Sequence, residues 1–399
     1  MKNRLFTALP RQISPTKVLR YALMLVLIGI GLVYLFSESH HLSTNDFFKY
    51  WSSSRINFMG GNPYSPEDLL QEQRLAGWNE VEPKLMEYPP WIFPLVIFFG
   101  VLSHTVAQLL WLLFEISILL YCSRQLWIWY KGPLEKRWMA LVIPFIFAPT
   151  ILVLELGQIT PLMLLGVIGF AYFIDHSHND WLAGASLVLV SIKPQLLFVF
   201  WIAVICWIIQ QHRWKVLAGA GVSVLLLMFI TMLFNPQVIS QYLGMLQTNP
   251  VSMWATPTIG SYLRLFWLGT ESFWPQFVPA VIASLCFLVY WLKFHDSWNW
   301  SRSLPILLLV TMISSPYTWT YDLVLLLPAI ILGSVWLVEN GKRWSTYLLS
   351  GFFLLISIMD LALHTRLNDF WFIWVAPMML IWYLLVYKQN VNLRVRSIT

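Results

Sequence analysis

The chain has 399 residues, 58% of them hydrophobic and only 11% charged, where soluble domains carry about a quarter charged. That balance excludes a soluble globule and places the chain among all-α polytopic membrane proteins. The net charge of +6 is better explained by membrane orientation than by nucleic acid. Cys122, Cys206 and Cys286 all lie in apolar segments and compose neither a disulfide framework nor a zinc site.

In chain order, a basic tail (residues 1–20) precedes the first apolar run, 21–37. No small-residue cleavage site follows it, so an uncleaved membrane helix is expected. Residues 38–90 are the longest stretch without a spanning pattern. They hold Asp46 among Phe47, Phe48, Tyr50 and Trp51, and two readings of Asp46 stand. Ser43-Thr44-Asn45-Asp46 would cap a helix well. A carboxylate held among aromatics also has its charged form disfavoured and gains the basicity of a general base. Glu67, Asp68 and Glu72 read as a solvated helix face. Run 91–103 is short and rich in proline and aromatics, and is expected to dip into the membrane and return, or to lie at the interface.

Further apolar runs cover 106–128, 139–155, 161–175, 181–194, 195–211, 216–234, 276–293, 303–315, 320–338, 345–362 and 370–387, making twelve with the first. A single transmembrane domain, 21–387, is expected, with outer loops 38–90 and 235–275 and a cytoplasmic tail, 388–399. Charge orients it. If 91–103 does not span, the basic clusters at 2–20, 124–137, 213–215, 293–302, 342–343 and 388–396 share one side, placing 18 of the 25 Lys/Arg inside, as the positive-inside rule requires. Both termini are then cytoplasmic. The 38–90 loop, Gly157-Gln158, Lys193-Pro194, the 235–275 loop, Ser314–Asp322 and His364–Asp369 gather at the outer face. Irregular backbone at membrane depth lines cavities or is buried in protein, so a site is expected there.

Three cations stand alone on that side outside the first loop: Lys193, Arg264 and Arg366. They read either as cations snorkelling to lipid phosphates or as ligands of a lipid-linked phosphate, Arg by bidentate contact and Lys as a point charge. Gly157 before Gln158 is a candidate C-cap. Asp322 begins a helix, where the dipole favours a carboxylate. Glu115 lies within a span and needs a partner or a proton. Many of the 23 tryptophans suit interfacial belts, and those near Asp46 can stack on a sugar. No phosphate-binding glycine loop, dinucleotide fingerprint, His-Glu-x-x-His or Asp-x-Asp is present, so cytoplasmic nucleotide chemistry has no support.

An ordered set of short motifs completes the picture: Asn45-Asp46-Phe47 with Tyr50-Trp51, Gly61-Asn62-Pro63-Tyr64, Tyr88-Pro89-Pro90, Gly157-Gln158, Gly184 leading to Lys193-Pro194, and Ser315-Pro316 before Trp319. Over roughly 20–340 this set resembles glycosyltransferase family 87. These are polyprenyl-phosphate-sugar-dependent membrane enzymes of the GT-C fold, and mycobacterial phosphatidylinositol mannosyltransferases are among them. The resemblance implies a GT-C-type bundle of about twelve membrane helices and an inverting hexosyl transfer, with mannose the family's best-known cargo. The donor would be a polyprenyl-phosphate sugar, and the acceptor a glycolipid or envelope glycan hydroxyl. It implies Asp46 as general base and Lys193 and Arg264 stabilising the leaving phosphate, with no metal required. Tyr50, Trp51, Tyr88, Gln158, Trp319 and Asp322 would contact substrate. Some relatives carry a histidine after the serine-proline-tryptophan segment where this chain has Tyr321-Asp322, so no histidine role transfers there. Two other readings compete. A lipid-linked oligosaccharide polymerase or ligase usually has its largest outer loop late in the chain. A lipid or glycolipid transporter would show internal repeats, and none is evident.

Overall fold

The computed structural model describes residues 45–248, 254–269, 272–340 and 343–396, and all of its regular structure is helical. The first apolar run and the cap residues Ser43 and Thr44 lie outside the described residues.

The 45–90 stretch is folded into the protein. Helix α1 (Asn45–Phe58) is rich in polar residues, yet Phe47, Ser52, Ser53 and Asn57 are fully buried. Helix α2 (Pro66–Leu75) starts by local rules. The Ser65 hydroxyl accepts from the Asp68 N–H, Pro66 occupies the first turn, and Glu67 and Asp68 lie at its positive end. From its last turn Gln73, itself buried, grips the following strap at Lys84. Its amide donates to the Lys84 carbonyl at 2.8 Å and accepts from the Lys84 N–H at 2.9 Å. The same amide donates to Ser52 on α1 at 3.1 Å, so one side chain ties strap to helix.

The longer α-helices that follow are α3 (Phe93–Gly100), α4 (His104–Trp129), α5 (Ala148–Leu156), α6 (Thr160–Asp175), α7 (Asp180–Val190), α8 (Phe198–Gln210), α9 (Trp214–Phe234), α10 (Val238–Thr248), α11 (Val278–Phe294), α12 (Trp300–Ser314), α13 (Leu327–Asn340), α14 (Arg343–His364) and α15 (Val375–Arg396). Every expected apolar run among the described residues is helical, but fewer than twelve helices qualify as spans. By length and composition six among the described residues are long and apolar enough to cross a membrane, or up to eight if each of two bent pairs counts as one span. The runs 161–175 and 303–315 yield helices of 16 and 15 residues, about 24 Å at 1.5 Å per residue against roughly 30 Å of hydrocarbon. Residues 90–100 form a still shorter apolar helix.

The two runs 181–194 and 195–211 form one pair bent by 113°. Pro194 has no N–H to continue the helix and disfavours helical backbone at the residue before it. Lys193 accordingly sits at φ −127°, ψ 74°. The arm before the bend, α7, packs between α6 and α9. Gly184 and Gly219 permit the contact: a Cβ on Gly184 would stand 2.1 Å from the Val216 carbonyl oxygen, the close backbone approach that small residues allow between membrane helices. At the centre runs Thr320–Glu339, a 3₁₀ turn continuing into α13, 78% buried where the other single spans are 17–39% buried. It contacts α4, α12 and α15, and its 3₁₀ start contacts α5 and α6.

Gln73→Ala is expected to destabilise the protein by about 1–3 kcal/mol, since it strips a clamp from buried polar groups. It should also speed tryptic cleavage after Lys84 in the detergent-purified protein. An unchanged cleavage rate would show that the strap is held by other contacts.

Candidate functional site

Five segments meet at one end of the bundle. The first turns of α1 place Asp46, Lys49 and Tyr50 on one face, at the i, i+3 and i+4 spacing. The Gln73 clamp brings Lys84 and the strap beside them. Gly157, left-handed at φ 66°, ends α5 as a residue without a Cβ does readily, and the chain turns through Gln158 into α6. The bend after α7 delivers Lys193. The central helix begins with Thr320–Asp322, where the Trp319 N–H donates to the Asp322 carboxylate at 3.2 Å.

Their polar groups form a connected network. The Gln158 amide nitrogen donates to the Asp46 carboxylate. Its carbonyl oxygen accepts from the Tyr50 hydroxyl at 3.3 Å and the Lys193 ammonium at 3.4 Å. Lys193 pairs with Asp322 at 2.8 Å, both buried, and Thr160 donates to the same carboxylate oxygen at 2.7 Å. Lys49 and Lys84 each stand 3.8 Å from one Asp46 oxygen, and Lys49 lies 3.7 Å from Glu87. Tyr88 and Tyr321 present ring faces to Lys193 at 5.6 and 5.0 Å, inside cation–π range.

This network lines a cavity of about 480 Å³. Asp46, Lys49 and Lys84 face it from α1 and the strap, Lys193 and Asp322 from the bend and the central helix, and Trp254 and Trp319 supply aromatic wall. His364 and Asp369 add a further polar wall. The His364 ring nitrogens stand 3.0 Å from both Asp360 and Asp369, and Asp369 accepts the Thr320 N–H at 3.1 Å.

Burial alone would lower the Lys49 ammonium, but Asp46, Tyr88 and Glu87 outweigh it and hold it above its ordinary value. Burial pushes the Glu87 carboxyl up; Lys49 opposes this and Asp46 adds to it, and the net direction is upward.

Of the residues singled out in the sequence, Asp46, Tyr88, Lys193, Trp319 and Asp322 line the cavity. Tyr50 and Gln158 stand one layer behind, bonded to those that do. Lys193 is not the lone cation its sequence context implied, because Asp322 partners it from 129 residues away. Trp51 points elsewhere. It follows Tyr50 by one helical position, about 100° around the axis, and its indole donates to the Leu102 carbonyl at 3.0 Å. Arg264 is buried and donates to the Trp254 carbonyl at 2.7 Å, which places it behind a cavity wall. Arg366 is exposed. Sequence reasoning gave no individual role to Lys49, Lys84, Glu87, Thr160 or Tyr321, and placed the His364–Asp369 segment at the site face without assigning its residues. Lys49 had a local signal, three residues after Asp46 on a helix, whereas Lys84 had none. Among the described residues no group of three or more His, Cys, Asp or Glu side chains is arranged to hold a metal ion.

The family model for glycosyltransferase family 87 matches residues 87–316. That stretch includes Tyr88, Gln158, Lys193 and Arg264, and leaves Asp46 before it and Trp319 and Asp322 just beyond. No curated protein and no solved structure matches the chain.

Asp322→Asn should destabilise the protein by about 3–5 kcal/mol by stranding the Lys193 charge in a buried site. Replacing both partners, Lys193→Met with Asp322→Leu, should cost less than that single change. Additive losses in thermal midpoint would mean the two charges are not coupled. Glu87 gives a pH signature. The fold favours its protonated form, so its stabilisation is complete below the unfolded value of about 4.3 and is lost as pH rises through the raised folded value. The thermal midpoint of Glu87→Gln should therefore gain on wild type as pH rises above the unfolded value. A constant gap would place Glu87 in contact with water.

Proposed function

Because the chain belongs to glycosyltransferase family 87, and is a membrane glycosyltransferase on that ground, we propose that it moves a hexose, mannose first among them, from a polyprenyl-phosphate donor to an acceptor hydroxyl. Asp46 serves as general base in this reading. The observation that carries it is the placement of Asp46 in the cavity, aimed by the Gln158 amide and facing, across the same space, the Lys193 ammonium.

The acceptor O–H donates to Asp46, and as its oxygen attacks the anomeric carbon the proton passes to the carboxylate. The bond between that carbon and the phosphate oxygen breaks, inverting the centre, and the polyprenyl phosphate departs with the electron pair. Lys193 meets the charge that develops on the phosphate. Asp322 keeps the ammonium in place, and its two contacts at 3.4 Å, to Gln158 and Thr160, are the ones a phosphate oxygen would replace. Preorganised charge of this kind is worth most where water is excluded. Trp319, Trp254 and Tyr321 offer faces for a sugar ring. Arg264 acts through Trp254, as a positioning residue.

Lys131 and Arg302, from two of the basic clusters, lie at the other end of the helices, which supports a plasma-membrane protein with the site at the outer face and both termini inside. Acceptors at that face are glycolipids or envelope glycans.

Proteoliposomes supplied with a panel of radiolabelled polyprenyl-phosphate sugars and extracted lipid acceptors test the reading. Wild type should transfer label, and Asp46→Asn should lower kcat by about 10²–10⁴-fold while still binding donor. Equal transfer by both would reduce Asp46 to a structural role. Transfer from nucleotide sugars alone would overturn the donor class.

A further inference from the structure

A second cavity, of about 1050 Å³, lies at the opposite end of the same helices. Helix α6 gives Thr160 to the network at its start, and Asp175 and His176 to the second cavity at its end. The central helix contributes Asp322 to the first cavity and Trp336 to the second. Fifteen residues of helix separate Thr160 from Asp175, about 22 Å. The second cavity is therefore separate in space from the first.

Its lining is predominantly basic and aromatic. Lys131, Arg302 and His176 bring cationic or donor groups, and Trp129, Tyr130 and Tyr383 bring aromatic surface. The carboxylate among the lining residues, Asp175, is already engaged by the Ser301 N–H at 2.8 Å and by the Ser301 hydroxyl. Neither Lys131 nor Arg302 has a carboxylate partner among the described residues. Lys131 is also held left-handed, at φ 59°, a conformation that costs a side-chain-bearing residue about 1 kcal/mol or more. The Trp129 and Tyr130 rings lie parallel with centroids 6.1 Å apart. Their polar tips, the indole N–H and the phenol O–H, are buried and lack a hydrogen-bond partner among the described residues. Buried donors of this kind normally find an acceptor.

We infer that this cavity binds a lipid-borne phosphate. Unpaired cations and unused donors call for an oxygen-rich anion. The aromatic side chains match the belts that sit at headgroup level, and charge-assisted bonds to phosphate are the strong ones. Two sources carry this chemistry: an anionic glycerophospholipid of the surrounding leaflet, and a polyprenyl monophosphate.

The test is native mass spectrometry of the full-length protein in neutral detergent, titrated with dioleoyl phosphatidylglycerol, a polyprenyl monophosphate and dioleoyl phosphatidylcholine. Only retention that depends on the cavity residues is read, so lipid held at the first cavity does not count. Arg302→Gln and Lys131→Gln should each weaken retention of an anionic lipid by about fivefold, and Tyr130→Phe should weaken it in the same direction. Loss confined to phosphatidylglycerol identifies a leaflet phospholipid, and loss confined to the monophosphate identifies the polyprenyl lipid. Arg213→Gln is the control for general surface charge, since Arg213 pairs with Asp180 at 3.3 Å and lies outside the cavity lining. The inference is overturned if phosphatidylcholine is held as well as the anionic lipids, if the cavity variants retain lipid like wild type, or if Arg213→Gln loses as much as Arg302→Gln.

Discussion

The buried pair between Lys193 and Asp322 is the constraint on which the site depends. Two charges taken out of water cost several kcal/mol each unless they meet, and here they meet at 2.8 Å. The pair joins the bend after α7 to the start of the central helix, and Thr160 and Gln158 attach the start of α6 to the same point. Such a pair adds little net stability over an apolar replacement. Its effect is on register: a slip of either element strands a charge, so segments far apart in sequence are held in one arrangement.

A second layer rests on the first. Helix α1 is polar by composition yet buried: Ser52 accepts from Gln73 and Tyr50 donates to Gln158, while Phe47 packs against Trp111, centroids 5.6 Å apart. Gln73 then decides where Lys84 stands, through backbone contacts that carry no charge. Lys49 and Lys84 flank Asp46, and Glu87 sits within reach of Lys49. The carboxylate proposed to accept a proton is thus positioned by an amide and two ammonium groups rather than by the aromatic enclosure its sequence neighbours suggest.

The two cavities differ in chemistry along the helices. One end is irregular and charge-paired, with broken helices opening a space between them. At the other end unpaired cations stand beside aromatic rings, the chemistry of a headgroup region. Helices of 16 and 15 residues between these ends are too short to cross unaided, and a break or a buried neighbour at the site end accommodates them.

How much was legible beforehand follows from the range of each interaction. Apolar runs, proline breaks and the glycine that ends α5 act within a few residues, so the all-helical membrane class and the positions of the helices could be read directly. The family resemblance likewise rests on short local motifs, and the match over 87–316 agrees with it. Asp46 stood out as a lone carboxylate beside aromatics, and Lys193 as a cation before proline. The span count of twelve was not legible, because hydropathy measures length along the chain and cannot tell a crossing helix from half of a bent pair. Nor could the sequence exclude Trp51 and Arg264 from the cavity or bring in Lys84. Which face a side chain presents, and which charge from a hundred residues away completes it, are settled only when helices pack and every buried charge must find its partner.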